Sequence, residues 1–148
     1  NRDRQQRCLV YAATLAHYAQ DLAMPLHTSA DYDGRRGPGG RSPKSGIHMA
    51  VDGIVETLKI DAAAAAGTQK AAAPESVPAA VMEEMRRSHA LVEAVYRMEA
   101  ALRAGTRSAD TLAFARERAA RAARFTAGLF AAAWADSAKL ALPDWAGK

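Results

Sequence analysis

The chain has 148 residues, enough for one domain with a real core, and 49% of them are hydrophobic, so disorder is not the default. Thirty-seven are Ala and only 6% are aromatic; Ala is the best helix former and β-branched residues are few, so the composition points to an all-α fold and away from β architectures. The net charge of +4 is mildly basic and favours anionic partners, although Arg usage in an Ala-rich chain accounts for much of it.

A first helix is predicted from about Asp3 to about Met24, with Leu9, Ala12, Ala13, Ala16, Ala19 and Ala23 as its packing stripe. Pro25 ends or kinks it. Residues 28 to 46 form a long, flexible, Gly/Pro-rich polar loop, and loops of that length in a compact domain are usually functional or mobile. A second helix is expected from near Gly46 to about Ala66, carried by Ile47, Val51, Ile54, Val55, Leu58 and Ala62. A linker with Gly67, Pro74 and Pro78 leads to a third helix, Ala79 to Ala104, with Gly105 as its C-cap. The fourth runs from an N-cap at Ser108 to about Lys139. Residues 1–148 thus read as a single all-α domain of about four main helices.

Cys8 is the only cysteine, so no internal disulfide forms, and it reads as a small buried residue. No run of about 18 apolar residues exists, so no membrane span is expected. The start, Asn1-Arg2-Asp3-Arg4-Gln5-Gln6-Arg7, is not a signal peptide; it reads as the polar first turn of a helix, as in a mature form or fragment.

The chemistry concentrates between His17 and Asp52. Three of the four histidines lie there, in the order His17-x3-Asp21-x5-His27, the Gly-rich loop, then His48-x3-Asp52. An i, i+4 spacing puts both members of a pair on one helix face. Imidazole nitrogen and carboxylate oxygen are zinc ligands. The flanking Leu15, Leu22 and Leu26, and Ile47, Val51 and Ile54, place both pairs on or beside buried faces. Burying an unpaired carboxylate costs several kcal/mol, a cost that a metal would offset. His27, His48 and Asp52 supply three ligands and leave one position open, the pattern of catalytic rather than structural zinc. His17 and Asp21 are expected to hold a second ion with partners from elsewhere.

The segment from Ala16 to His27 (AHYAQDLAMPLH), followed by Gly46 to Asp52 (GIHMAVD), resembles the zinc-dependent phospholipase C and single-strand-specific nuclease superfamily over about residues 9 to 58. The resemblance implies a multi-helix orthogonal bundle, two or three zinc ions, hydrolysis of phosphoester bonds by a zinc-bound hydroxide, and a secreted or periplasmic location. It implies that His17 and Asp21 bind one zinc, with Asp21 bridging at the catalytic centre, and that His27, His48 and Asp52 bind another. The family's other ligands (the terminal amine and carbonyl of a Trp, a His, a further Asp and His) lie in an N-terminal half, and no His precedes His17. The chain is therefore expected to be the C-terminal part of a longer domain, or to take ligands from a second chain. Asp52 leans towards nucleases; the absence of Gly before Asp21 leans towards phospholipases. Single-stranded nucleic acid and phospholipid headgroup stay open as substrates. Two other readings stay open beside these: a non-catalytic helical remnant with one structural zinc, and a basic helical nucleic-acid-binding module.

Arg35, Arg36, Arg41 and Lys44 in the loop are candidates for meeting a substrate phosphate. His89 reads as a half-buried packing residue, Tyr32 as a loop aromatic, and Trp134 and Trp145 as anchors of the C-terminal segment.

Overall fold

The computed structural model describes residues 2–40 and 44–141, and among them there is no strand. Helix α1 (Arg2–Ala23) leads through a 3-10 turn (Pro25–Thr28) into the Gly-rich loop. Then come α2 (Ile47–Asp52), α3 (Ile54–Thr57), α4 (Ala62–Gly67), α5 (Val77–His89), α6 (Val92–Arg97), α7 (Glu99–Arg103) and α8 (Ala109–Ser137). The fold is all-α, as the composition implies.

The expected second helix is three short ones. Gly53 closes α2 and opens α3, as the weak helix propensity of Gly favours. A second break follows Leu58: Lys59 adopts φ 50°, and Ile60 N donates to Val55 O at 2.9 Å. This is a six-to-one closing bond of the kind that ends helices. Asp61 then caps α4, accepting from Ala64 N at 2.8 Å. The expected third helix also breaks, at Ala90–Leu91 and at Met98, without Gly or Pro at either place. Packing explains it. On α5 the buried Glu84 and Ser88 face α8 and α1, whereas Val92, Val95 and Leu102 enter the core built on α2 and α3. One straight helix cannot serve both.

Helix α8 is the scaffold. Its start is as predicted, with Ser108 and Thr111 forming a reciprocal capping box. It runs antiparallel to α1: Arg118 reaches the carbonyl of Ala23, and eight residues back Leu15 packs with Phe125 and Leu129. A larger core joins Leu26 to Ile47, Val51, Ile54, Leu58, Val92, Val95, Leu102 and Ala115. Between α5 and α8 the fully buried Glu84 takes a two-oxygen contact from Arg121 Nε, at 3.0 and 2.7 Å. Hydrogen bonding to Glu84 raises the Arg121 pKa.

Three packing expectations are corrected. Only the C-terminal half of α1 is buried: Ala19 and Ala23 are covered, while Leu9 is 71% exposed. Cys8, in that same open half, is exposed rather than buried. Trp134 is exposed on the far end of α8 and anchors nothing; Trp145 lies outside the described residues. No described helix is long and apolar enough to cross a membrane.

Candidate metal centre

The five residues singled out in the sequence meet at one end of α1. Imidazole and carboxylate alternate along a continuous path. His17 Nε2 lies 3.4 Å from Asp21 Oδ2, which lies 3.9 Å from His27 Nδ1. On its other side His27 Nε2 lies 3.1 Å from Asp52 Oδ1, and Asp52 Oδ2 lies 3.2 Å from His48 Nε2. Two of these contacts follow from the i, i+4 spacing. The other two join the α1 end to α2 and depend on the fold.

The inner three, His27, His48 and Asp52, each offer one ligand atom, all within 4.8 Å of one another. Ligand atoms around a tetrahedral ion with bonds of about 2.1 Å stand about 3.4 Å apart. The nitrogen–oxygen separations of 3.1 and 3.2 Å run to different oxygens of Asp52, Oδ1 for His27 and Oδ2 for His48. The donor set, two nitrogens and one oxygen, suits zinc chemically. The three side chains are near enough to hold an ion once they draw together from within 4.8 Å. The outer pair is different. His17 is 70% exposed, so the expectation that it sits on a buried face is wrong: the apolar residues around it face other directions. The desolvation argument weakens for the carboxylates too, because Asp52 is 39% exposed and remains partly hydrated.

Local chemistry explains how the inner ligands are placed. Pro25 opens the 3-10 turn in which His27 sits, between the buried Leu26 and the α1 end. Three side chains distant in sequence hold that turn. The buried Ser88 hydroxyl donates to Leu22 O at 2.5 Å, Arg118 donates to Ala23 O at 2.8 Å, and His89 Nδ1 lies 3.0 Å from Thr28 O. A cation and two donors at the open carbonyls of a helix end satisfy both its hydrogen bonding and its dipole. His89 is thus an exposed strut on the backbone beside His27, and not a half-buried packing residue.

On the α2 side, Asp33 Oδ1 accepts from His48 N at 3.1 Å and Ser45 Oγ accepts from Ile47 N at 3.3 Å, replacing a conventional cap. Asp33 O also accepts from Ser45 N at 2.7 Å, which closes the base of the Gly-rich loop. The His48 ring lies 4.8 Å from the His27 ring, tilted by 54°, and meets the Tyr32 ring edge-on at 5.5 Å. Its Nδ1 is buried without a hydrogen-bond partner, so Asp52 is the polar contact that orients it.

Two of the loop cations, Arg35 and Arg36, have carboxylate partners outside this site. Arg35 pairs with Glu93 at 2.7 Å and lies over the Tyr96 ring at 4.6 Å; Arg36 pairs with Asp31 at 2.9 Å. Tyr96 OH accepts from Gly34 N at 3.1 Å and donates to Asp31 O, which fastens the same stretch. Arg35 and Arg36 are thus tied to carboxylates of α6 and the loop while remaining more than half exposed. Arg41 lies outside the described residues.

Sequence reading missed Ser88, Asp33 and Arg118. Arg118 is 1% exposed, while its neighbours Arg116 and Arg124 face solvent. The signal available for Ser88 was a lone small hydroxyl inside a helix, which is weak.

An open groove of ≈ 720 Å³ starts at Asp21, His27 and Asp52 and runs along α8 to Phe130. Fold and site together define an all-α protein with a candidate His-His-Asp metal centre at the mouth of a groove. No family model, curated protein or solved structure matches the chain.

Proposed function

We propose that this chain carries the metal-binding part of a zinc-dependent hydrolase acting on phosphoester bonds. The observation that carries this reading is the convergence of His27, His48 and Asp52, from two separate segments, with one ligand atom of each within 4.8 Å of the others. When bound, zinc supplies an activated water and positive charge beside the phosphorus. The side chains do the rest. His27 and His48 would hold the ion through imidazole nitrogen and Asp52 through carboxylate oxygen, exchanging the Asp52–imidazole contacts of the metal-free site for bonds to the ion. Asp21, 3.9 Å from His27 Nδ1, sits on the outer side of that ring, where carboxylates commonly fix the tautomer of a metal-bound histidine. Its other contact, His17, completes a pair open to solvent that suits a second ion once further ligands are present. An N-terminal segment or a second chain of the phospholipase C/nuclease type would provide them.

Two features favour a catalytic over a structural role for the metal. Three protein ligands would leave a coordination position free, and two of the three residues, His27 and Asp52, line the open groove. Four cations, Arg35, Arg36, Arg118 and Arg121, are engaged by Glu93, Asp31, Ala23 O and Glu84, which takes them from a basic nucleic-acid-binding surface. The secreted or periplasmic location rests on the same resemblance as the activity.

The test is a zinc titration followed by phosphodiesterase assays on a phospholipid and on single-stranded DNA. The reading expects one tightly bound zinc and turnover of one of the two, abolished in Asp52→Ala. Stoichiometric zinc with no turnover of either favours the structural alternative.

A further inference from the structure

We propose that α4 is a movable flap on α8, and that its swing opens and closes one side of the groove that leads to His27 and Asp52. The inference deepens the hydrolase reading by adding control of access to that same centre, and rests on that reading only for what the groove admits. Helix α4 has six residues, none of them buried. A helix that short does not hold itself together in water, so its support comes from packing on α8. That packing is weak in kind. Five of the six residues are Ala, and the stretch of α8 beside them carries Ala119, Ala120, Ala122 and Ala123. Methyl groups on both sides bury little apolar area and bring no long side chain to interlock.

Space lies on both flanks of α4. Ala62 and Ala66 line the groove of ≈ 720 Å³, while Ala64 and Ala65 line a second cavity of ≈ 630 Å³ shared with Ala113, Arg116 and Ala120 of α8. A close-packed element resists displacement because its neighbours fill the space around it; α4 has room in two directions. Its ends are held at separate points. On one side Lys59 turns the chain at φ 50° and Asp61 caps the helix. On the other, Ala72 O lies so near the α8 backbone that a Cβ at Gly128 would stand 2.9 Å from it. Gly permits that approach because it has no Cβ. Between this pin and the helix, Gly67 and Thr68 are exposed and free to take up the change in backbone angle. A segment with so little buried apolar surface opens at a far lower free energy than the core around it.

The experiment uses the whole chain kept metal-free by a chelator, so that flap and metal centre are tested separately. Amide hydrogen exchange is followed by NMR at increasing urea. The proposal expects Ala65, Ala66 and Gly67 to exchange through one shared, urea-insensitive opening, populated at least about 100-fold more than the opening that frees Phe125 and Leu129. Gly128→Ala sets a methyl against Ala72 O and releases the pin. The α4 opening should then be about three- to tenfold more populated, while Phe125 and Leu129 keep or gain protection, as Ala in place of a helical Gly favours. Access to the groove is read with Ala123→Cys, at a position that lines it, in a Cys8→Ser background. A bulky maleimide should label that thiol faster, by the same factor, once Gly128→Ala is added. Exchange of α4 only together with the α8 core, α4 exchange unchanged by Gly128→Ala, or equal labelling in both backgrounds overturns the flap. Coupled exchange and labelling in a chain that fails to bind zinc sinks the hydrolase reading and leaves the flap standing.

Discussion

Arg118→Met tests whether the strut beneath the candidate metal centre carries the weight assigned to it. The guanidinium is 1% exposed and donates to the carbonyl of Ala23, itself 0% exposed, at 2.8 Å. A hydrogen bond from a charged donor contributes about 1.5–3 kcal/mol. Met nearly conserves volume, so the cavity term is small. Removing a buried cation recovers part of its desolvation cost, while Glu117, on the solvent side, simply rehydrates. The net expectation is a loss of about 2 kcal/mol. For a domain of this size that lowers the melting temperature by roughly 4–8 °C. Ala23 lies between Asp21 and His27, so the loosened segment must be re-ordered when metal binds; zinc affinity should fall, at most about 30-fold if the whole 2 kcal/mol is felt at the site. Arg118→Lys should recover part of both losses, because an ammonium on a long stem can still donate to that carbonyl. Urea unfolding by linear extrapolation and competitive zinc titration measure the two quantities. A change below about 0.5 kcal/mol, the range of ordinary surface substitutions, refutes the strut.

Three further expectations follow from particular residues. Burial raises the Tyr96 pKa above its ordinary value, so its contribution to stability is full below about pH 10 and is lost as pH rises through the folded-state value; Tyr96→Phe should flatten the alkaline limb of a stability–pH curve, and an unchanged limb contradicts this. Lys59 holds φ 50° at the end of α3, a conformation that disfavours any residue with a Cβ; Lys59→Gly should raise the urea-derived stability by about 0.5–1 kcal/mol, and a loss would show that the Lys side chain matters more than its backbone. Zinc at 100 times its dissociation constant should stabilise the chain by about 2.7 kcal/mol, seen as a melting temperature higher by roughly 5–10 °C that a chelator reverses; no shift means that the ion does not prefer the folded state.

The His and Asp cluster was legible in the sequence because its signal is discrete: an i, i+4 pair needs only a helix, and α1 and α2 both supply one. That His27 would bridge Asp21 and Asp52 was not legible, since it depends on how the 3-10 turn docks on α2. The buried face of α1 was misjudged for a definite reason. Ala occurs on several sides of the helix, so the contrast between faces is low, and burial is decided by where α8 and α5 lie. The breaks at Ala90–Leu91 and Met98 were invisible for a related reason: no local breaker is present, and two separate cores pull the chain apart there. Arg35 and Arg36 looked like phosphate ligands because their partners, Glu93 and Asp31, are set by tertiary closure of the loop in one case and a local turn in the other. Nothing in composition distinguishes Arg118 from Arg116 or Arg124; only the three-dimensional meeting of α1 and α8 buries it.

Zinc stoichiometry and affinity, measured on the purified chain and on His48→Ala side by side, test the account at its centre. His48 is held by packing against His27 and Tyr32 and by Asp52, so its removal deletes one of the three proposed ligands. The account predicts one tightly held zinc in the parent chain and a loss of binding of at least about 100-fold in the variant. Zinc held equally well by both proteins, or by neither, contradicts it.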